Sequence, residues 1–199
     1  MKRMHRQKGR FQKQAYPLTA EVIGKLITVT GDTLKGYRDR ALLRLAYESM
    51  RRRSELCSFE WIDLEITQDG AGILLLRFSK TDQEGFGKKI RLTKETVSAL
   101  LDWKGQAQLT TGKILRGFKY HDQLSVELHP SNISKILKGL AKTAHLEPSI
   151  VQSISGHSAR VGRAQDLLKD GKSLPQIMTL GGWRSTEIVM RYIENCDLR

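Results

Sequence analysis

Carboxylates are scarce in this chain. Its 21 Asp and Glu stand against 34 Lys and Arg, for a formal net charge of +13. Residues 1–17, MKRMHRQKGRFQKQAYP, contain no acidic residue. A surface so poor in acid attracts anions, and nucleic acid is the leading candidate partner. A membrane surface fits less well, because no basic amphipathic helix with a strong aromatic face stands out. The shortage also leaves no carboxylate cluster able to hold two metal ions. Cysteine is nearly missing: Cys57 and Cys196 suit neither a disulfide framework nor a metal-ligand spacing, so both read as reduced thiols that fill space. No apolar run approaches a membrane span, and the basic N-terminus lacks the apolar stretch of a signal peptide. These absences point to the cytoplasm and its nucleoid. There is also no Gly-rich phosphate loop with its lysine, no H-E-x-x-H and no G-x-S-x-G elbow. No metal or cofactor site is therefore expected.

What remains is a 199-residue chain, 39% hydrophobic and 28% charged, with the balance of a soluble globular protein built on one core. Residues 1–17 read as a basic arm or interdomain linker. Lys2, Arg3, Arg6, Lys8, Arg10 and Lys13 are its candidate DNA contacts, and a flexible tail is the alternative. Residues 18–199 read as one domain. Thr19 caps an amphipathic helix through Ile27, and Tyr37 to Met50 is a second, with Ala41, Leu42, Leu45, Ala46 and Ser49 on a narrow face. A turn of helix runs from Ser54 to about Phe59. Trp61–Ile66, Gly72–Phe78 and Lys88–Leu92 read as strands, the first two joined by an Asp69-Gly70 turn. Helices follow at Thr93–Gln108 and Ser131–His145, separated by an irregular stretch from Gly112 to Leu128. Pro148 breaks the chain before helices at His157–Lys169, Leu174–Leu180 and Ser185–Ile193. The pattern is mainly α with a small three-stranded antiparallel sheet, an α+β class.

Several residues could carry chemistry, each with a plainer alternative. Arg51, Arg52 and Arg53 follow a helix end, where cations suit the dipole but a guanidinium could also grip phosphate. Glu55 could orient one of them. Lys80 stands in Phe78-Ser79-Lys80-Thr81, at the tip of the second strand, where lysines are usually just solvated. In Ser155-Gly156-His157-Ser158-Ala159-Arg160 the histidine and arginine are spaced to share one helix face. His157 titrates near neutrality and could move a proton, and Ser155 could cap this helix. Gly181-Gly182 permits a sharp turn before Trp183. Tyr192 sits near the end of the last helix, where a half-buried packing role is the ordinary one.

Taken together and in this order, these pieces resemble the tyrosine recombinase (integrase) family. The resemblance rests on YESMRRRSEL at 47–56, the strand lysine, the H-x-x-R box, the Gly-Gly-Trp turn and IVMRYI at 188–193, and it covers the chain from about Pro17. It implies a helical catalytic-domain fold and site-specific DNA recombination through a covalent 3′-phosphotyrosine intermediate. Arg52 would match the first catalytic arginine, by counting back from Glu55-Leu56, with Glu55 supporting it. Lys80 would be the general acid, His157 and Arg160 the H-x-x-R pair, Trp183 the position that is His in many members, and Tyr192 the nucleophile. Double-stranded DNA is the implied partner, with self-association into a tetrameric synapse. Two departures stand out. The family's separate N-terminal DNA-binding domain has no counterpart, so the chain reads as a catalytic fragment. Only seven residues follow Tyr192, which weakens the expectation of a stable tetramer. Single-strand topoisomerase or telomere-resolvase activity, or DNA binding without cleavage, are the alternatives.

Overall fold

The computed structural model describes residues 14–78, 87–194 and 196. Lys2, Arg3, Arg6, Lys8, Arg10, Lys13, Lys80 and most of the connection that follows Lys80 lie outside the described residues. The expected class is observed: the fold is mainly helical, with one small three-stranded antiparallel sheet.

Helix α1 (Ala20–Thr28) buries Ile23 and Leu26. Thr19 stands at its N-cap but makes no side-chain cap bond. The cap comes instead from Asp166, whose Oδ2 accepts from the Ala20 amide at 2.7 Å. Helix α2 (Leu34–Ser49) begins before the expected Tyr37, because the Thr33 hydroxyl accepts from the Gly36 amide and fixes an earlier turn. It is the central helix. Its buried Ala41, Leu42, Leu45 and Ala46 let neighbouring helices approach closely. Met50 ends it in the left-handed region, at φ 54°, and this sharp turn throws Arg51, Arg52 and Arg53 off the helix axis.

Helix α3 (Arg53–Ser58) follows. Trp61–Asp63, expected within the first strand, is a 3₁₀ turn, stabilised by the Asp63 carboxylate accepting from the Glu60 amide at 2.9 Å. Strands β1 (Leu64–Ile66), β2 (Gly72–Leu76) and β3 (Lys88–Leu92) form an antiparallel sheet in that order. Leu74 pairs with Leu64 on one side and with Ile90 on the other. Strand β2 stops short of Phe78, as Arg77 turns to Asp63 at 2.6 Å. Helices α4 (Lys94–Gln106) and α5 (Pro130–Thr143) flank an irregular segment, as expected. That segment is anchored by Trp103, whose Nε1 donates to the Ile114 carbonyl at 2.8 Å. Pro148 does more than break the chain. It opens a short helix, α6 (Pro148–Ser153), at a position where its missing N–H costs nothing.

The last three helices are α7 (Ser158–Lys169), α8 (Leu174–Gly181) and α9 (Thr186–Ile193). They form a second apolar cluster in which Met50 meets Ala164, Leu167, Ile177, Trp183, Val189 and Ile193. The arginines that follow Met50 therefore start at the seam between this cluster and the main core. Among the described residues no helix is long and apolar enough to cross a membrane.

Residues 14–18 form an extended strap across the start of α7. The Tyr16 amide donates to the Ser153 carbonyl at 3.1 Å and the Leu18 amide to the Ser158 carbonyl at 3.0 Å, with Leu18 fully buried. Gly162 makes the crossing possible, since a Cβ there would lie 2.0 Å from the Leu18 carbonyl oxygen. Gly162→Ala should therefore lower stability by about 1–3 kcal/mol, read as a lower urea midpoint. In contrast Gly139→Ala, whose methyl meets nothing within 4 Å, should raise it by about 0.5–1 kcal/mol. Equal responses at the two sites would mean the strap does not cross α7 here.

Candidate active site

The first arginine box is held by its own acid. Arg52 is the N-cap residue of α3, and its amide donates to Glu55 Oε2 at 2.9 Å while its Nη1 donates to Oε1 at 2.8 Å. The spacing that makes a capping box thus also aims a guanidinium. Burial alone would raise the pKa of Glu55, but the Arg52 amide and guanidinium, with Arg51, outweigh it and hold the carboxyl below its ordinary range. Arg53 lies flat over Gly156, where a Cβ would sit 2.0 Å from the Arg53 Cδ. This explains the glycine in the Ser-Gly-His turn.

The H-x-x-R pair opens α7. The N-cap residue is His157 rather than Ser155. Ser155 acts one step earlier, its hydroxyl accepting from the His157 amide at 3.1 Å while Ser158 Oγ accepts from the Ser155 amide at 2.9 Å. These local bonds fix the His157 backbone at the edge of a cleft shared with Arg52, Arg53, His129 and Ser131. Partial withdrawal from water, then the guanidiniums of Arg160, Arg53 and Arg52, lower the pKa of His157 below its ordinary 6.5.

Arg160 points inward and is buried. Its Nη2 donates to the Gly181 carbonyl at 3.3 Å, and its guanidinium lies 4.8 Å from the centre of the Trp183 ring. Its Nε is buried with no hydrogen-bond partner among the described residues. Burial, then the nearby Arg52 and Arg51, push its pKa down to about 10, so it stays a cation at neutral pH. The Tyr192 phenol lies within its electrostatic reach. Tyr192 itself is half-buried and meets Trp183 edge to face, with ring centres 5.7 Å apart at 71°.

The cations share one anchor, the carbonyl end of α8. Arg51 Nη2 donates to the Leu180 carbonyl at 2.5 Å, Arg160 to that of Gly181, and Lys88 Nζ to that of Thr179. A helix C-terminus carries partial negative charge and has unpaired carbonyls. Gly182 completes the turn at φ 69°, where a Cβ would lie 2.8 Å from Arg51 Nη1. Burial first, then Arg51 and Arg160, lower the pKa of Lys88.

The fold thus gathers Arg52, Glu55, His157, Arg160, Trp183 and Tyr192 at one seam. The sequence reading passed over Lys88 and assigned Arg51 nothing of its own. Lys88 carried a signal: it shares strand parity with buried Ile90 and Leu92, so it faces inward. Arg51 carried none, because only the left-handed turn at Met50 directs it beneath Gly182. The arrangement suits an anion with several oxygens, gripped by guanidiniums, beside a phenol and an imidazole of lowered proton affinity.

The model of the phage integrase family matches residues 17–199. The whole chain aligns with an integrase/recombinase XerD homolog of Selenomonas ruminantium, at 31% identity over 59% of that protein. Recombinase Cre of Escherichia phage P1 is 26% identical over 83% of this chain and 52% of its own length. The chain thus spans a little over half the length of these relatives. In fold it resembles the XerA recombinase crystal structure (TM-score 0.70, 18% identity, 94% of this chain and 61% of that one). It also resembles XerH bound to palindromic difH substrate after cleavage (TM-score 0.71, 16% identity, 96% and 52%).

The lowered His157 pKa can be measured directly. In the free chain its imidazole proton signals should titrate with a midpoint below 6.5. Arg53→Ala should move that midpoint upward, because one opposing cation is gone. A midpoint at or above 6.5, or a downward move, would contradict the description of the cleft.

Proposed function

The chain belongs to the phage integrase family, and on that premise we propose that it is the strand-cleaving and rejoining part of a site-specific tyrosine recombinase. The observation that carries this reading is Arg160: a buried guanidinium that gives one donor to a carbonyl, keeps its Nε unpartnered among the described residues, and shares the Trp183 ring with Tyr192. A buried donor of this kind is costly unless an anion uses it.

In the proposed reaction the Tyr192 oxygen attacks a DNA phosphorus. A phosphotyrosine bond forms to the 3′ side, the bond to the 5′ oxygen breaks, and that oxygen leaves as a hydroxyl after gaining a proton. A 5′-hydroxyl from another strand reverses the step, so bond energy is conserved. Arg52 and Arg160 neutralise the non-bridging oxygens, with Glu55 aiming Arg52. His157, whose pKa is lowered by burial and then by its cationic neighbours, accepts the phenol proton as the bond forms. Lys80 is proposed as the donor to the leaving oxygen. Trp183 supports both Arg160 and the tyrosine ring. That Tyr192 and Arg160 of one chain both pack on the Trp183 ring favours attack in cis.

Double-stranded DNA is the proposed substrate, and the net +13 charge fits it. Exchange between two duplexes needs several protomers, so assembly on DNA is part of the proposal, as is work at the nucleoid. Basic residues of the arm, Lys2 to Lys13, would track phosphates. Relaxation of single strands would use the same residues, but the relatives' names favour strand exchange.

The test uses nicked duplexes of randomised sequence. The chain should form an adduct that survives denaturation and is lost in Tyr192→Phe; an adduct undiminished by that change would refute the nucleophile. Arg160→Ala should slow adduct formation on the order of 10²–10³-fold. Retention on the same duplexes should weaken steeply with salt as counterions are released, and a flat response would remove the electrostatic account.

A further inference from the structure

The end of helix α9 is held by two side-chain amides that the proposed chemistry leaves unused. Gln165 lies on α7, five residues beyond Arg160, and is buried, with Nε2 donating to the Tyr192 carbonyl at 2.9 Å. Gln14, on the strap, donates through Nε2 to the Arg191 carbonyl at 2.7 Å and to the Tyr192 carbonyl at 3.2 Å. Both carbonyls belong to the last turn of α9, where a helix has no further amide to offer. The bonds bridge long gaps in the chain, so they fix tertiary placement rather than local conformation.

Why should a buried carboxamide be spent there? Tyr192 carries its reactive oxygen at the far end of a long side chain. A small tilt of the backbone at its base is magnified at that oxygen. In-line displacement tolerates little error, since a shift of about 1 Å can cost on the order of 10²-fold in rate. Gln165 fixes the base of the tyrosine to the same rigid helix that presents Arg160. The attacking oxygen and one of the groups that grip the phosphate are thereby set by one body. Gln14 adds a second tie, from a segment that reaches α9 only while the strap lies across α7.

We infer that Gln165 is a positioning residue for Tyr192, acting through the tyrosine's backbone carbonyl, and that Gln14 couples the same helix end to the strap. The inference rests on the reading of Tyr192 as nucleophile.

The test compares Gln165→Met, which keeps length and helix propensity but cannot donate, with Gln165→Lys, which can. Gln14→Ala removes the second tie. The full chain is assayed on the nicked randomised duplexes for the rate of adduct formation, the rate of resealing with added 5′-hydroxyl strand, DNA retention and urea midpoint. Tyr192 is the entering group in one direction and the leaving group in the other. A misplaced tyrosine should therefore slow both rates alike, on the order of 10-fold to 100-fold, with the equilibrium adduct level and DNA retention unchanged. Gln165→Lys should recover most of that loss, and Gln14→Ala should show a smaller loss of the same kind. A Gln165→Met chain that folds and cleaves at the parent rate would overturn the inference. So would losses that merely follow the unfolded fraction, with the lysine variant no better than methionine. An adduct persisting in Tyr192→Phe would instead overturn the nucleophile reading, and this inference with it.

Discussion

The site depends on a problem in electrostatics: several cations must be kept close together without an equal number of acids. Burial, and after it the charges of neighbouring arginines, lower the proton affinity of Arg51, Arg160 and Lys88, and Glu55 is a carboxylate whose field reaches all three. The fold meets this with backbone dipoles. Three successive carbonyls at the end of α8 take one donor each from Lys88, Arg51 and Arg160. Carbonyls hold a guanidinium in place without cancelling its charge, as a carboxylate would. The pocket keeps its positive potential while its side chains are fixed beforehand, the condition under which charge stabilisation is most effective.

That solution dictates much of the surrounding architecture. Helix α8 must end where it does, so Gly182 is needed in its left-handed conformation and no side chain fits above Arg51. Trp183 then follows at once and is available to Arg160 and Tyr192. The second apolar cluster holds α7, α8 and α9 together beneath the site. Asp166 ties that group to the rest of the domain, accepting from the Ala20 amide and from the Tyr47 hydroxyl at 2.5 Å. The geometry of the candidate site and the stability of the fold are therefore carried by the same few helices.

Much of this was legible in the sequence, for definite reasons. The order of helices and strands followed from apolar periodicity and turn residues. Arg52, His157, Arg160, Trp183 and Tyr192 stood out because their spacing repeats a family pattern. What was not legible were contacts between distant segments. Thr19 looked like a cap, but the cap was supplied by Asp166, far along the chain. Pro148 looked like a breaker and was a helix start. Ser155 looked like the cap of α7 and instead shaped the turn before it. Gln165 is an ordinary polar residue at a helical position until the end of α9 is placed against it. Lys88 differs from these, because strand parity with Ile90 and Leu92 already turns it inward.

The edge-to-face stack of Trp183 on Tyr192, beneath a buried guanidinium, has a practical consequence. Indole fluorescence responds to nearby charge and to the packing of its neighbours. Trp103 and Trp61 belong to the main core, on the other side of the seam. With those two replaced by phenylalanine, emission from Trp183 becomes a native optical gauge of whether the last helix is docked. No dye need be attached at the one place where an added group would be least tolerated.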